Sequence, residues 1–187
     1  MNVIDPFMQE HRVIEQVVDI FDTEILNIHE QNPIDSIHMY MAIDFVCTYV
    51  DLTHHVKEED FLFRELAKKD LLPDHARILH ELLEEHKHVR TIIGKWTKDT
   101  NRFFKGEDTS QEITLHLKAL KALFTVHIKK EDERFFNQIL SYFTTAEQNE
   151  ILGKIADFDK QVLHWKYRKV EKALRGSLWD ENSLTGC

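Results

Sequence analysis

Apolar residues recur along this chain at alternating three- and four-residue steps, the period of α-helices that each bury one face. One row reads Ile4, Phe7, His11, Ile14, Val18, Phe21, Ile25, Ile28, and a second Ile43, Cys47, Val50, His54, Glu58, Phe61. A third reads Leu79, Leu82, His86, Val89, Ile93, Trp96, and a fourth Ile113, Leu117, Leu120, Phe124, His127, Glu131, Phe135. The fifth is Ile155, Phe158, Val162, Trp165. Asp5-Pro6 and Asn32-Pro33 each put a capping residue before a proline suited to a first helical turn. Leu72-Pro73-Asp74 breaks the chain, while Thr109 to Glu112 and Thr144 to Glu147 have the form of capping boxes.

These signals predict helices ending near Gln31, Asp70, Gly106, Phe143 and Gly176, followed by a disordered tail from Ser177 to Cys187. Four of them are long and the joins are short, so neighbours should pack antiparallel. The expected fold is all-α: an up-down four-helix bundle (core 5–143) with an additional C-terminal helix (144–176), in one domain covering 1–176.

Each of the first four rows is interrupted by a histidine, and two of them add a glutamate one turn later. His54 and Glu58 share a face, as do His127 and Glu131. A buried carboxylate without a partner costs several kcal/mol by rough reckoning, and two close together cost more. The same faces carry imidazoles and no Lys or Arg, so two divalent cations would satisfy His11, His54, Glu58, His86, His127 and Glu131 together. A small rotation of the second helix would exchange His54/Glu58 for His55/Glu59; Val50, Phe61 and Leu62 favour the former. His29, His38, His75, His80, His88, His116 and His164 keep no inward phase and read as surface residues.

Composition narrows the function classes. The net charge is −9, with no compact Lys/Arg cluster, which argues against a nucleic-acid partner. No stretch approaches the ~18 apolar residues of a membrane span, and the first residues lack a secretory signal. Two cysteines, Cys47 and Cys187, stand far apart and make no C-x-x-C site. That usage suits a reducing, cytoplasmic setting without a disulfide framework.

Thr53-His-His-Val-Lys-Glu-Glu-Asp-Phe-Leu-Phe63 resembles the H-x-x-x-E-E-x-x-L-F segment of hemerythrin-like (HHE cation-binding) domains. Val126 to Phe136 is similar to that family's fourth-helix segment, Gln9-Glu-His-Arg12 to its first-helix motif, and Glu84-Glu-His-Lys-His88 to its third. The resemblance covers roughly residues 5–143. It implies metal ligands at His11, His54, Glu58, His86, His127 and Glu131. It further implies a non-haem centre of two iron ions, bridged by Glu58, Glu131 and an oxo or hydroxo group. Leu82 stands where oxygen-carrying members place the first His of a His-x-x-x-His pair. Arg64 and Asn137 replace a proline that often follows L-F, and the cysteine-bearing N-terminal segment of the family's cluster-repair proteins is missing.

The donor set accommodates Fe, and also Mn or Zn. The leading expectation is a site that binds or senses a small diatomic ligand or oxidant (O2, NO, peroxide). A di-iron oxidase, peroxidase or iron-handling protein is the alternative, although the Glu-x-x-His pattern of ferritin-type sites occurs here only at Glu85/His88. A third reading is an interaction module with structural metal. Its fifth helix, carrying Phe158, Trp165 and Tyr167, would cover the bundle's own flank or meet a second copy in a homodimer.

Overall fold

The computed structural model describes residues 2–175, and among these the chain is helical with no strand; the predicted tail lies outside the described residues. Helix α1 spans Asp5–His29. Its start is set by Asn2, whose Oδ1 accepts from the N–H groups of Ile4 and Asp5 at 3.0 and 3.2 Å. Asp5 is therefore already helical. Gln31 closes α1 in the left-handed region (φ 57°), and the Asn32 N–H reaches back to the Asn27 carbonyl at 2.9 Å.

Helix α2 begins after Asp35, whose side chain accepts from the N–H groups of Ile37 and His38, rather than at Asn32-Pro33. It opens as an α-helix over Ser36–Asp44, passes through π-helical Phe45–His55 and Glu58–Phe63, and closes with Arg64–Leu66. Helix α3 spans Pro73–Phe104 and ends at Gly106, whose φ of 97° suits a residue without Cβ. Helix α4 runs from Ser110–Lys130 through π-helical Glu131–Phe135 to Phe136–Ile139 and a 3-10 turn, Leu140–Tyr142. Helix α5 spans Thr145–Arg175.

The two expected capping boxes part company. At Thr144 the box forms: its Oγ1 accepts from Glu147 N–H at 3.3 Å and Glu147 returns a carboxylate to Thr144 N–H at 2.8 Å. At Thr109 it does not, because the hydroxyl donates to the Asp99 carbonyl at 2.7 Å and joins the α3–α4 turn to α3.

Apolar side chains gather in two slabs. One is built around Phe21, Val50, Ile93, Trp96, Leu117 and Phe124. The other lies around Phe7, Leu62, Phe63, Leu82, Phe135 and Phe136, and it includes Ile151 and Ile155 of α5. Helix α5 thus covers the bundle flank with its first half, helped by Phe158 against Phe61 at 5.5 Å, while Trp165 and Tyr167 are exposed. Cys47 is buried in the first slab, and Cys187 lies outside the described residues.

Candidate metal centre

The six interrupting residues belong to neither slab. His11, His54, Glu58, His86, His127 and Glu131 are all at most 2% exposed. They form two overlapping groups, His11/His54/Glu58/Glu131 and Glu58/His86/His127/Glu131, whose donor atoms lie within 4.8 Å of one another in each. The structure therefore brings together every residue that the interrupted rows single out.

The imidazoles face each other in pairs. His11 and His54 set their Nε2 atoms 3.1 Å apart with rings inclined at 69°. His86 and His127 set theirs 3.2 Å apart at 59°. An ion about 2.1 Å from two nitrogens at a right angle would hold them ~3.0 Å apart. The carboxylates connect the pairs: Glu58 Oε1 is 3.5 Å from His54 Nε2, and its Oε2 is 3.4 Å from His86 Nε2. Glu131 Oε2 is 3.2 Å from His11 Nε2 and 3.3 Å from His127 Nε2.

Which nitrogen carries the proton follows from the other side of each ring. His11 Nδ1 meets Asp132 at 2.7 Å, His54 Nδ1 meets Glu10 at 2.9 Å, and His86 and His127 meet Glu59 and Glu85, each at 2.8 Å. These contacts run in a closed circuit: α1 holds the histidine of α2, α2 that of α3, α3 that of α4, and α4 that of α1. Each carboxylate also receives a cation, Arg12 on Asp132, Lys57 on Glu10, Arg90 on Glu59 and Lys130 on Glu85. With Nδ1–H donating outward, every neutral ring turns a bare Nε2 lone pair inward.

Two bare lone pairs at about 3.1 Å repel, and the carboxylates add to that. All four oxygens of Glu58 and Glu131 are buried without a hydrogen-bond partner, the imidazole contacts lacking hydrogen-bond geometry. Burial, and next Glu131, push the Glu58 carboxyl well above its ordinary range. Burial acts on Glu131 in the same sense, but His127, His11 and His86 outweigh it and hold that carboxyl low. The two carboxyls are thereby driven in opposite directions. Burial, and then the neighbouring imidazoles, push His54 well down, while burial lowers His86 against the opposing pull of Glu59. Neutral imidazoles with orphaned carboxylates are what a cation requires of its donors.

His55, the residue held in reserve by the sequence pattern, is buried as well, at 1% exposure. A π-turn is wider than an α-turn, and over Phe45–His55 it brings two consecutive residues to the inside. Yet His55 stacks on His86, with centroids 3.9 Å apart and planes 12° from parallel. A donor atom of His55 also lies within 4.8 Å of donors of His86 and His127, but an ion in the plane of His86 would lie well out of the plane of His55, so the two rings cannot share it in this pose. His55 Nδ1 instead faces Asp51 at 3.3 Å, which Arg90 Nε holds at 2.7 Å. Its sequence companion Glu59 serves the outer side of His86.

Sequence reasoning missed the outer carboxylates. Their one signal is adjacency: Glu10, Glu59, Glu85 and Asp132 each stand next to one of the six inner residues. Of the remaining histidines, His29, His38, His80, His88 and His164 are exposed as expected. His75 and His116 are partly buried and bonded to Tyr142 and Asp99.

The sequence model of the hemerythrin HHE cation binding domain matches residues 2–139. The chain belongs to that family. The matched region of this HHE domain contains all six inner residues, the four outer carboxylates and their four cations, and it stops before α5. Membership carries cation binding with it, in keeping with the His/Glu groups. No curated protein and no solved structure matches the chain. Among its described residues, no helix of this HHE domain is long and apolar enough to cross a membrane.

Proposed function

We propose that this domain holds two iron ions between His11, His54, His86, His127, Glu58 and Glu131, and that it binds or senses a small diatomic molecule or oxidant there. The observation that carries the reading is the set of four buried, unpartnered oxygens on Glu58 and Glu131, facing imidazole nitrogens whose protons are committed outward. Two cations neutralise that layer, and the two carboxylates are placed to serve both. Iron at such donors supplies reversible redox change and a coordination position open to O2, NO or peroxide.

The chain's own part is to orient and to exclude. The outer carboxylates fix each ring and raise its basicity. The apolar slabs on either side restrict water. Manganese or zinc would satisfy the same donors, so metal identity is the first measurement. Mass spectrometry should find about two irons per chain, with absorption bands that change on reduction and on exposure to O2 or NO. His54→Ala or Glu58→Ala should abolish stoichiometric loading. Full iron retention in both variants would overturn the ligand assignment. Zinc, or bands indifferent to gas, would overturn the ligand-sensing role.

A further inference from the structure

Of the four cations behind the outer carboxylates, Lys57 differs from the rest. Arg12, Arg90 and Lys130 have side chains 54%, 32% and 14% exposed, and each bridges to a second carboxylate within α1 to α4. Lys57 is 1% exposed, and its second carboxylate is Asp159 of α5, at 3.0 Å. Asp159, itself 49% exposed, lies one turn beyond Ile155 and two beyond Ile151, where the row that α5 buries against the bundle reaches the surface. A continuous line of polar contacts therefore runs from α5 inward: Asp159 to Lys57, Lys57 to Glu10, and Glu10 to His54 Nδ1 at 2.9 Å.

A lysine sealed from water needs its carboxylates, since a buried ammonium missing a partner is costly. If α5 lifts, Lys57 loses Asp159 and gains water, and its hold on Glu10 weakens. Glu10 is the acceptor that keeps the His54 lone pair pointing inward. We propose that Asp159 and Lys57 are positioning residues of the metal centre, and that through them the docking of α5 and the binding of metal at His11/His54 are coupled. This rests on the reading of His54 as a ligand. The coupling is reciprocal: metal that fixes His54 fixes Glu10 and Lys57, and so favours docked α5. Among the described residues the other three histidines have no such line to α5, so the two metal positions respond unequally.

Cobalt(II) is the probe, titrated into the metal-free full chain and followed by its visible bands. The parent should take two ions. Outer-shell substitutions commonly weaken metal binding by 10–100-fold, and Asp159 stands one contact further out. Asp159→Ala should therefore weaken one of the two ions by about three- to tenfold and leave the other unchanged. In a Glu10→Gln background the same substitution should add nothing, because the line is already cut. Asp159→Glu should restore most of the affinity. Hydrogen exchange supplies the converse: cobalt should slow the amides of residues 150–160 in the parent and not in Asp159→Ala.

A parent that binds no cobalt sinks this inference and the metal site together. A parent with two ions, and an Asp159→Ala variant with unaltered affinity, overturns the coupling and leaves the site standing. An equal loss in both backgrounds would also overturn it, because Asp159 would then act by a route other than Glu10.

Discussion

At His127 the outer hydrogen bond runs to a carboxyl that is held low. Burial works to raise Glu85, but its bonds from His127 and Lys130 bring the carboxyl down to about 2, so it is a full anion at any working pH. Glu85→Gln should leave the ring in place and remove that charge, weakening metal at the His86/His127 position by about 10–100-fold. Metal titration of the folded variant checks this, and unaltered affinity would contradict it. His55 makes the opposite case. Its near-parallel stack on His86 excludes shared ligation, so His55→Ile, copying Ile128 at the corresponding place beside His127, should keep two metals per chain. Loss of one ion would show that the ring turns to ligate. The inner six were legible in the sequence because each breaks an apolar row. The outer four were not: each serves a histidine on the neighbouring helix, and periodicity within one helix cannot see across to another. Glu59 illustrates this: along its own helix it is only the alternative partner of His55, although it holds His86 from outside.

Helix identity and count were likewise legible, because a period sustained over several turns and broken by Pro or Gly leaves few alternatives. The π-helical stretches were not. His and Glu four residues apart share a face in either helix type, so the spacing of His54/Glu58 and His127/Glu131 does not reveal the wider turns in which they sit. That widening is also why the choice between His54 and His55 had no exclusive answer; both face inward, to different ends. Helix ends carry a smaller ambiguity. Thr109 and Thr144 precede glutamate at the same distance, yet only Thr144 caps, since a nearby carbonyl of Asp99 captures the Thr109 hydroxyl. Thr144→Ala should cost about 1 kcal/mol of stability by loss of the cap. Denaturant unfolding measures it, and a change near zero would mean that packing of Ile151 and Ile155 alone secures the start of α5.

Across the whole molecule, a polar layer lies between two apolar slabs, and this makes stability depend on pH and on metal in a related way. In the metal-free fold burial lowers His54, His55 and His86, while the unfolded chain protonates them near the ordinary value of about 6.5. Below that pH the unfolded state therefore takes up to three protons that the native state refuses. Glu58 has the opposite sign: its carboxyl is raised, so above about 4.5 the native state keeps a proton that the unfolded state has released. Burial raises Glu10 and Asp51 in the same sense but less than Glu58; the three imidazoles outweigh these carboxyls, and metal-free stability should fall as the pH drops from 6.5 to 5.5, by roughly 1.4 kcal/mol per pH unit for each net proton. Metal removes the Glu58 proton from the native state. Wherever that proton is held, loading should release it, and the loaded protein should lose stability on acidification more steeply than the metal-free one. Calorimetry in buffers of different ionisation enthalpy measures the release, and unfolding curves at the two pH values measure the slopes. A metal-free protein that gained stability between pH 6.5 and 5.5 would mean that the buried imidazoles are charged in the native state. The inward lone pairs on which the metal site depends would then not exist.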